Sequence, residues 1–344
     1  MKPKFVSGRT NLALTIMVPF DCPNNCPFCE SKKEYAKNRP SIDGVVNAVK
    51  HIFRDNNTLD IPEVVITGGE PMANVLALRK IINVIPSDKD IYINTTLVNH
   101  NFKEFVALVN SDPQIKGINV SRHATTYADD CRMLHGIVPD SAMAEIKKSV
   151  RINCVVKERR HSFFRAVIAR WEGTNVELSF REDFNAMTAE ELHNPYSHSL
   201  PYVATLPEYI GHTQCKVCDT TTFRSIRGLI VRYHKGVKNT LVPLGNDKYE
   251  INDIIIRQDG EVFCDWDFTN KTLLPTCLLR DSTKEIMQRS RQRMVEIAST
   301  PYTTCGGGSV GGCGGHYVDL YSNGCGGAYS SFRGYSCGGG SSCG

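Results

Sequence analysis

Leu12-Ala-Leu-Thr-Ile-Met-Val18-Pro-Phe-Asp-Cys22-Pro-Asn-Asn-Cys26-Pro-Phe-Cys29 decides how the rest of this chain is read. It opens as a continuous apolar run, Leu12–Val18, which suits a buried strand. It then breaks into a loop of prolines and asparagines that carries three cysteines in the spacing C-x3-C-x2-C. Lys2, Lys4 and Arg9 ahead of Leu12–Phe20 give the outline of a signal peptide. No small-residue cleavage site follows, and the cysteine motif stands in its place. No other segment approaches the roughly 20 apolar residues of a membrane helix. The chain is therefore read as cytoplasmic.

Outward from this stretch, strand and helix patterns alternate to about residue 195. Ser41, after Pro40, is a plausible N-cap for a helix whose apolar face is Ile42, Val45, Val46, Val49, Ile52 and Phe53. Val64–Thr67 reads as a strand and Asn74–Ile85 as a helix. Ile91–Thr95 is the next strand, with a helix near Phe102–Val109. Gly117–Ser121 follows, with a helix near Ser141–Ser149. Arg151–Val156 is next, with a helix over about 161–172, and Val176–Phe180 is the sixth strand. Six βα units in a row predict an α/β fold with a parallel sheet, short of the eight units that close a full barrel.

Three thiolates on one loop can converge on one centre. Iron–sulfur clusters are held by cysteine thiolates, and three ligands on a four-iron cube leave one iron open. A structural zinc site is the alternative, but it normally takes four closed ligands, and no fourth Cys or His lies nearby. After the second strand comes Thr67-Gly68-Gly69-Glu70-Pro71. Its glycines admit close backbone approach, and Glu70 offers an acceptor for an ammonium. By itself this segment also fits an ordinary turn before a helix.

Together, the triplet after strand one and the Gly-Gly-Glu-Pro segment after strand two closely resemble the radical S-adenosylmethionine (SAM) superfamily, over about residues 12–195. The resemblance implies a partial (βα)6 TIM-like barrel and a [4Fe–4S] cluster on Cys22, Cys26 and Cys29. It implies that SAM chelates the open iron, that Phe28 lies near the adenine, and that Gly68, Gly69 and Glu70 bind the methionine amine. Further family-like positions are Asn94, Thr95, Ser121, Arg122, Asn153 and Arg181, all at strand ends, where such barrels carry their sites. Ser121 and Asn153 would bond the ribose or carboxylate. Arg122 and Arg181 would pair with the SAM carboxylate or an anionic substrate. His123 reads as a packed strand-end residue. The chemistry implied is reductive cleavage of SAM to a 5′-deoxyadenosyl radical that takes a hydrogen atom from a substrate, with an external electron donor.

Past about residue 196 the character changes. Residues 228–234 and 252–264 are rich in β-branched and aromatic residues, and Asp259-Gly260 is a hairpin-turn signal. A small β-rich subdomain is expected over roughly 210–280. Ser282 and Glu285 fit a capping box for a helix running to about Ala298. Cys215 and Cys218 form a C-x2-C pair, followed at long intervals by Cys264 and Cys277. A zinc ribbon and unrelated buried cysteines both fit this spacing. The layout also resembles the twitch and SPASM subdomains of radical SAM enzymes, which implies a second [4Fe–4S] cluster. The hairpin from Ile256 to Cys264 looks like that of the molybdenum-cofactor cyclase family. The long Cys218–Cys264 interval and the Cys343-Gly344 terminus depart from that family.

Residues 305–344 hold 15 of the 27 glycines and 5 of the 14 cysteines, with Cys-Gly-Gly at Cys305, Cys313, Cys325 and Cys337. So few aliphatic residues cannot build a core. The tail reads as a flexible extension, as further metal ligation with His316, or as a peptide substrate in cis. The expected organisation is a partial barrel over 1–200, an auxiliary-cluster subdomain with a helix over 201–300, and a Gly/Cys-rich tail over 301–344. The net charge of +4 argues neither for nor against a nucleic-acid partner. Fourteen cysteines in a long, enzyme-like chain point to metal rather than disulfides. Three functions follow: radical SAM chemistry on a peptide, the same chemistry on a nucleotide or cofactor precursor, or a non-catalytic iron–sulfur or zinc protein.

Overall fold

The structure is a computed structural model that describes residues 4–7, 13–29, 39–54, 61–183, 186, 208–214, 219–234, 241–245, 248–251 and 253–263. Cys215, Cys218, Cys264, Cys277, the Ser282–Ala298 helix and the tail lie outside the described residues. The chain runs β1 (Lys4–Ser7), β2 (Ala13–Val18), α1 (Ile42–Arg54), β3 (Glu63–Gly68), α2 (Val75–Ile82), β4 (Asp90–Thr95) and α3 (Phe102–Ser111). It continues β5 (Ile115–Ser121), α4 (Tyr127–Met133), β6 (Ser149–Val156), α5 (His161–Trp171) and β7 (Glu177–Glu182). Then come β8 (Glu208–Gln214), β9 (Asp219–Arg224), β10 (Ile230–His234), β11 (Leu241–Gly245), β12 (Lys248–Ile251), β13 (Asp253–Ile256) and β14 (Val262–Phe263).

Strands β2 to β7 lie side by side in chain order, each parallel to the next. These are the six units expected. The sheet then grows at both edges. β13 pairs parallel with β2 and carries β14 as a hairpin partner, while β10 pairs parallel with β7 and carries β9 and β8. The sheet ends on β14 and β8 and stays open. β1, β12 and β11 form a second, three-stranded sheet. The strands read from 228–234 and 252–264 therefore form, and they extend the main sheet.

Side chains alternate across a strand, and one face of the sheet meets the helices. Leu14, Ile66, Ile93, Val120, Ile152 and Phe180 pack there with Val49, Leu78, Phe105 and Phe164 of the helices. Each such fully buried side chain contributes about 1.5–3 kcal/mol. The α1 start is as expected: the Ser41 hydroxyl accepts from the Gly44 N–H at 3.0 Å.

Two helices differ from expectation. The Asn74–Ile85 segment is a 3-10 turn, Pro71–Asn74, followed by α2, which the Asn74 side chain caps by accepting from the Ala77 N–H. No α-helix covers Ser141–Ser149. That region is a 3-10 turn, Asp140–Glu145, and β6 already begins at Ser149. The α-helix of this crossover is α4, started by Thr126, whose side chain accepts from the Asp129 N–H. Among the described residues, no helix is long and apolar enough to cross a membrane.

Candidate active site

The face turned away from the helices is polar. Asn94, Asn119, Arg151 and Glu177 are register partners across β4, β5, β6 and β7. One rung towards the carboxyl ends stand Ser121, Asn153, Ser179 and Arg232, and above them Val155, Arg181 and His234. A closed TIM barrel fills this interior with branched apolar side chains. Here it offers hydrogen-bonding groups and cations.

The lower rung is closed by charge. Arg151 donates to Glu177 Oε2 from Nε and Nη2 at 3.1 and 2.9 Å, and Arg232 Nε lies 3.4 Å from the same oxygen. Burial alone would raise the Glu177 carboxyl, but Arg151 and Arg232 outweigh it and hold it below its ordinary value. Higher up, Arg181 Nη1 stands 3.2 Å from His234 Nδ1. Burial, with Arg181 and Arg151 nearby, pushes His234 well below its ordinary value, so the neutral ring accepts from Arg181.

Between these levels several polar atoms are buried without a partner. Asn119 donates to Asn94 Oδ1 at 2.7 Å, which leaves Asn119 Oδ1 and Asn94 Nδ2 unmatched, and Asn153 Oδ1 is unmatched as well. An unsatisfied buried polar group costs about 1–3 kcal/mol. Atoms left this way on a buried polar face suit the donors and acceptors of a bound ligand. Asn94, Ser121, Asn153 and Arg181 thus share this polar face.

Thr95 and Arg122 are not. Each follows a residue that faces the interior, and the two-residue period of a strand turns it outward. Thr95 Oγ1 donates to Glu70 Oε1 at 2.5 Å and accepts from the Leu97 N–H at 3.0 Å. Arg122 is fully buried. Its Nη1 donates to the Thr96 and Ser121 carbonyls at 2.7 and 2.8 Å, its Nη2 donates to the Val138 carbonyl at 3.1 Å, and its Nε pairs with Asp140 at 3.4 Å. It clamps the loop after β5 and presents no fork to a carboxylate.

The cysteine loop sits at the carboxyl end of β2. Cys22, Cys26 and Cys29 are partly exposed and outside any disulfide. The Cys29 N–H closes a turn on the Cys26 carbonyl at 3.1 Å. Cys22 is raised above its ordinary value by burial first, with Glu70 and Cys29 adding to it, while hydrogen bonds from Asn24 work the other way. Among the described residues no three such side chains close on one ion. A cluster does not require that, since each thiolate binds a different iron. The donor set of three thiols on one loop therefore fits a cluster.

The Gly-Gly-Glu-Pro segment is built for packing. Gly68 has φ +104°, and a Cβ there would sit 2.6 Å from the Val18 backbone nitrogen. The close approach is between strand ends. Glu70 is buried, and its four acceptor positions are filled. Oε1 accepts from the Met72 N–H at 3.1 Å and from Thr95, while Oε2 accepts from the Thr96 N–H and hydroxyl at 2.8 and 2.6 Å. The carboxylate is spent on β4, so it holds the segment in place and has no acceptor left for an ammonium. Phe28 packs edge-to-face on His123, with centroids 4.7 Å apart. His123 Nδ1 in turn accepts from the Val155 N–H at 3.1 Å. His123 therefore backs the cysteine loop.

Sequence reading passed over Asn24, Thr96, Asn119, Arg232 and His234. The last three follow from strand parity: Asn119 lies two residues before Ser121, and Arg232 and His234 alternate with apolar residues in β10.

Residues 13–121 match the family model described as a 4Fe-4S single cluster domain. No curated protein matches the chain. Among solved structures, Streptococcus suis SuiB bound to S-adenosylmethionine is similar, with TM-score 0.53 and 12% identity over 80% of this chain. The chain spans 63% of the length of that structure. anSMEcpe with bound AdoMet and Kp18Cys peptide is similar with TM-score 0.52 and 12% identity, covering 85% of this chain and 86% of that one. The chain thus carries a match to a 4Fe-4S single cluster domain over residues 13–121, on a fold that it shares with these two structures.

Proposed function

We propose that this protein reductively cleaves SAM to a 5′-deoxyadenosyl radical and uses it to take a hydrogen atom from a peptide. The observation that carries the reading is the three-thiol loop at the mouth of a polar, partly unsatisfied sheet face. Cys22, Cys26 and Cys29 would hold the cluster, which when bound passes an electron from an external donor to SAM. The chain's part is to bind and orient. Asn94, Asn119, Ser121 and Asn153 offer donors and acceptors to SAM, and Gly68, Gly69 and Phe28 flank the loop that meets it. Arg181 and His234 stand further along the same face. The polar groups replace water around the reacting atoms with fixed partners.

A similar fold with a bound peptide supports the peptide over a nucleotide or cofactor precursor. The Cys-Gly-Gly repeats supply a candidate in the chain itself, since a thiol could be joined to a carbon radical formed on a peptide, its proton going to solvent and one electron returning to the oxidised cluster. Thiolates kept for a cluster suit the reducing cytoplasm. The test is mass spectrometry of the 301–344 fragment after anaerobic turnover with SAM and dithionite. A loss of two hydrogens per crosslink is expected, absent in a Cys22/Cys26/Cys29 variant. An unchanged fragment mass and thiol count while SAM is cleaved would exclude the tail and favour the precursor reading.

A further inference from the structure

Asn24 lies inside the cysteine loop, is 2% exposed, and uses both ends of its side chain on distant segments. Oδ1 accepts from the His135 N–H at 2.6 Å, and Nδ2 donates to Thr96 Oγ1 at 3.1 Å. A backbone N–H can only donate, so Oδ1 must face His135, and the orientation of the amide is fixed by its partners. Thr96 has one hydroxyl hydrogen, and it goes to Glu70 Oε2 at 2.6 Å. The hydroxyl must then accept from Asn24. The result is a directed chain, Asn24 to Thr96 to Glu70, in which each bond polarises the next.

This chain joins the two motifs that the sequence shows separately. The loop between Cys22 and Cys29 contains no ladder, and its prolines remove donors. Its orientation relative to Gly68–Pro71 therefore depends on side-chain ties. Asn24 ties it to the end of β4, the same end to which Glu70 ties the Gly-Gly-Glu-Pro segment. A third anchor, at His135, lies beyond α4.

We propose that Asn24 is a positioning residue that, through Thr96, locks the cysteine loop to the Gly-Gly-Glu-Pro segment and so fixes a cluster and its SAM in one mutual orientation. The proposal rests on the radical SAM reading above. Electron transfer into one bond of SAM depends on that orientation, and a misplacement of about 1 Å costs on the order of a hundredfold in rate.

The experiment uses the full chain, reconstituted anaerobically with iron and sulfide, as wild type, Asn24→Ala, Thr96→Val, Thr96→Ser and the Asn24→Ala/Thr96→Val pair. Iron content, the electron paramagnetic resonance spectrum of the reduced cluster with and without SAM, 5′-deoxyadenosine formation, and amide exchange at His135 are measured. Iron should stay at the wild-type level. Asn24→Ala and Thr96→Val should each lower kcat by about tenfold or more with a smaller change in the KM for SAM, and should broaden the SAM-induced spectrum. The pair should be no worse than the more damaging single change, because both cut the Asn24–Thr96 link. Thr96→Ser keeps the hydroxyl and should restore the wild-type values. In Asn24→Ala, exchange at His135 should accelerate by about tenfold or more, the loss of one hydrogen bond.

Wild-type kinetics and spectra in Asn24→Ala, multiplicative losses in the pair, or loss of iron from Asn24→Ala would each overturn the proposal. Failure of the functional reading looks different, because wild type itself then cleaves no SAM. In that case unchanged exchange at His135 in Asn24→Ala still refutes the tie itself.

Discussion

His123 is buried against Phe28 and the Val155 N–H. Burial first, then Lys157 and Arg122, lowers it from 6.5 to about 3. The sign of the linkage is fixed by the unfolded chain, which takes up a proton near pH 6.5 while the folded chain does not. Stability from this site is complete above that pH and is lost as the pH falls towards 3. Between pH 8 and pH 5 the loss is about 2 kcal/mol. His123→Gln keeps an acceptor for Val155 without the titration. Its denaturant-derived stability should therefore fall by about 2 kcal/mol less than that of wild type over this range, the other groups cancelling in the comparison. Equal falls would contradict the assignment. At this scale the cysteines and Gly68–Glu70 were legible because their spacing is rigid in sequence. The use of Glu70 was not, since its partners Thr95 and Thr96 come from the next strand. Asn24 was illegible for the same reason, its partners lying 72 and 111 residues away.

The β13–β14 hairpin meets the start of α1 backbone to backbone. Ser41 N–H donates to the Gln258 carbonyl at 2.8 Å, and a Cβ on Gly260 would stand 2.5 Å from the Gly44 carbonyl carbon. Gly260 also has φ +89°, as does Gly228, where a Cβ would meet nothing within 4 Å. Gly228→Ala therefore carries strain alone, about 1 kcal/mol, whereas Gly260→Ala adds a clash of roughly 1–3 kcal/mol. Denaturant unfolding of the two variants should differ by that clash, and equal losses would show that the two backbones can part. The Asp259-Gly260 turn was readable as a hairpin because the dipeptide favours it. Its docking on α1 was not, because that contact spans the chain. Local pattern also misplaced the helix before β6. Met143 and Ile146 have helical spacing, but they close a short 3-10 turn, and the true helix, α4, is only seven residues long.

At the scale of the molecule, β2 was written plainly as an apolar run, and β4 to β7 as apolar residues at every second position, because one face of the sheet packs on the helices while the other is polar. The edge strands were not placed by sequence, since pairing partners are set by the whole fold and not by local periodicity. Cys215, Cys218, Cys264 and Cys277 lie outside the described residues, and only their spacing in the sequence speaks for them. We propose that these cysteines hold a second [4Fe–4S] cluster. The reconstituted chain should then carry about eight irons, falling to about four in Cys215→Ala/Cys218→Ala, whereas about four in wild type or stoichiometric zinc would refute it. The central claim is the radical chemistry of the first site, and 5′-deoxyadenosine formed from SAM under dithionite measures it most directly. Wild type should form it, and Cys22→Ala, Cys26→Ala, Cys29→Ala and their triple combination should not. Undiminished formation in the triple variant, or none in iron-replete wild type, would contradict the account.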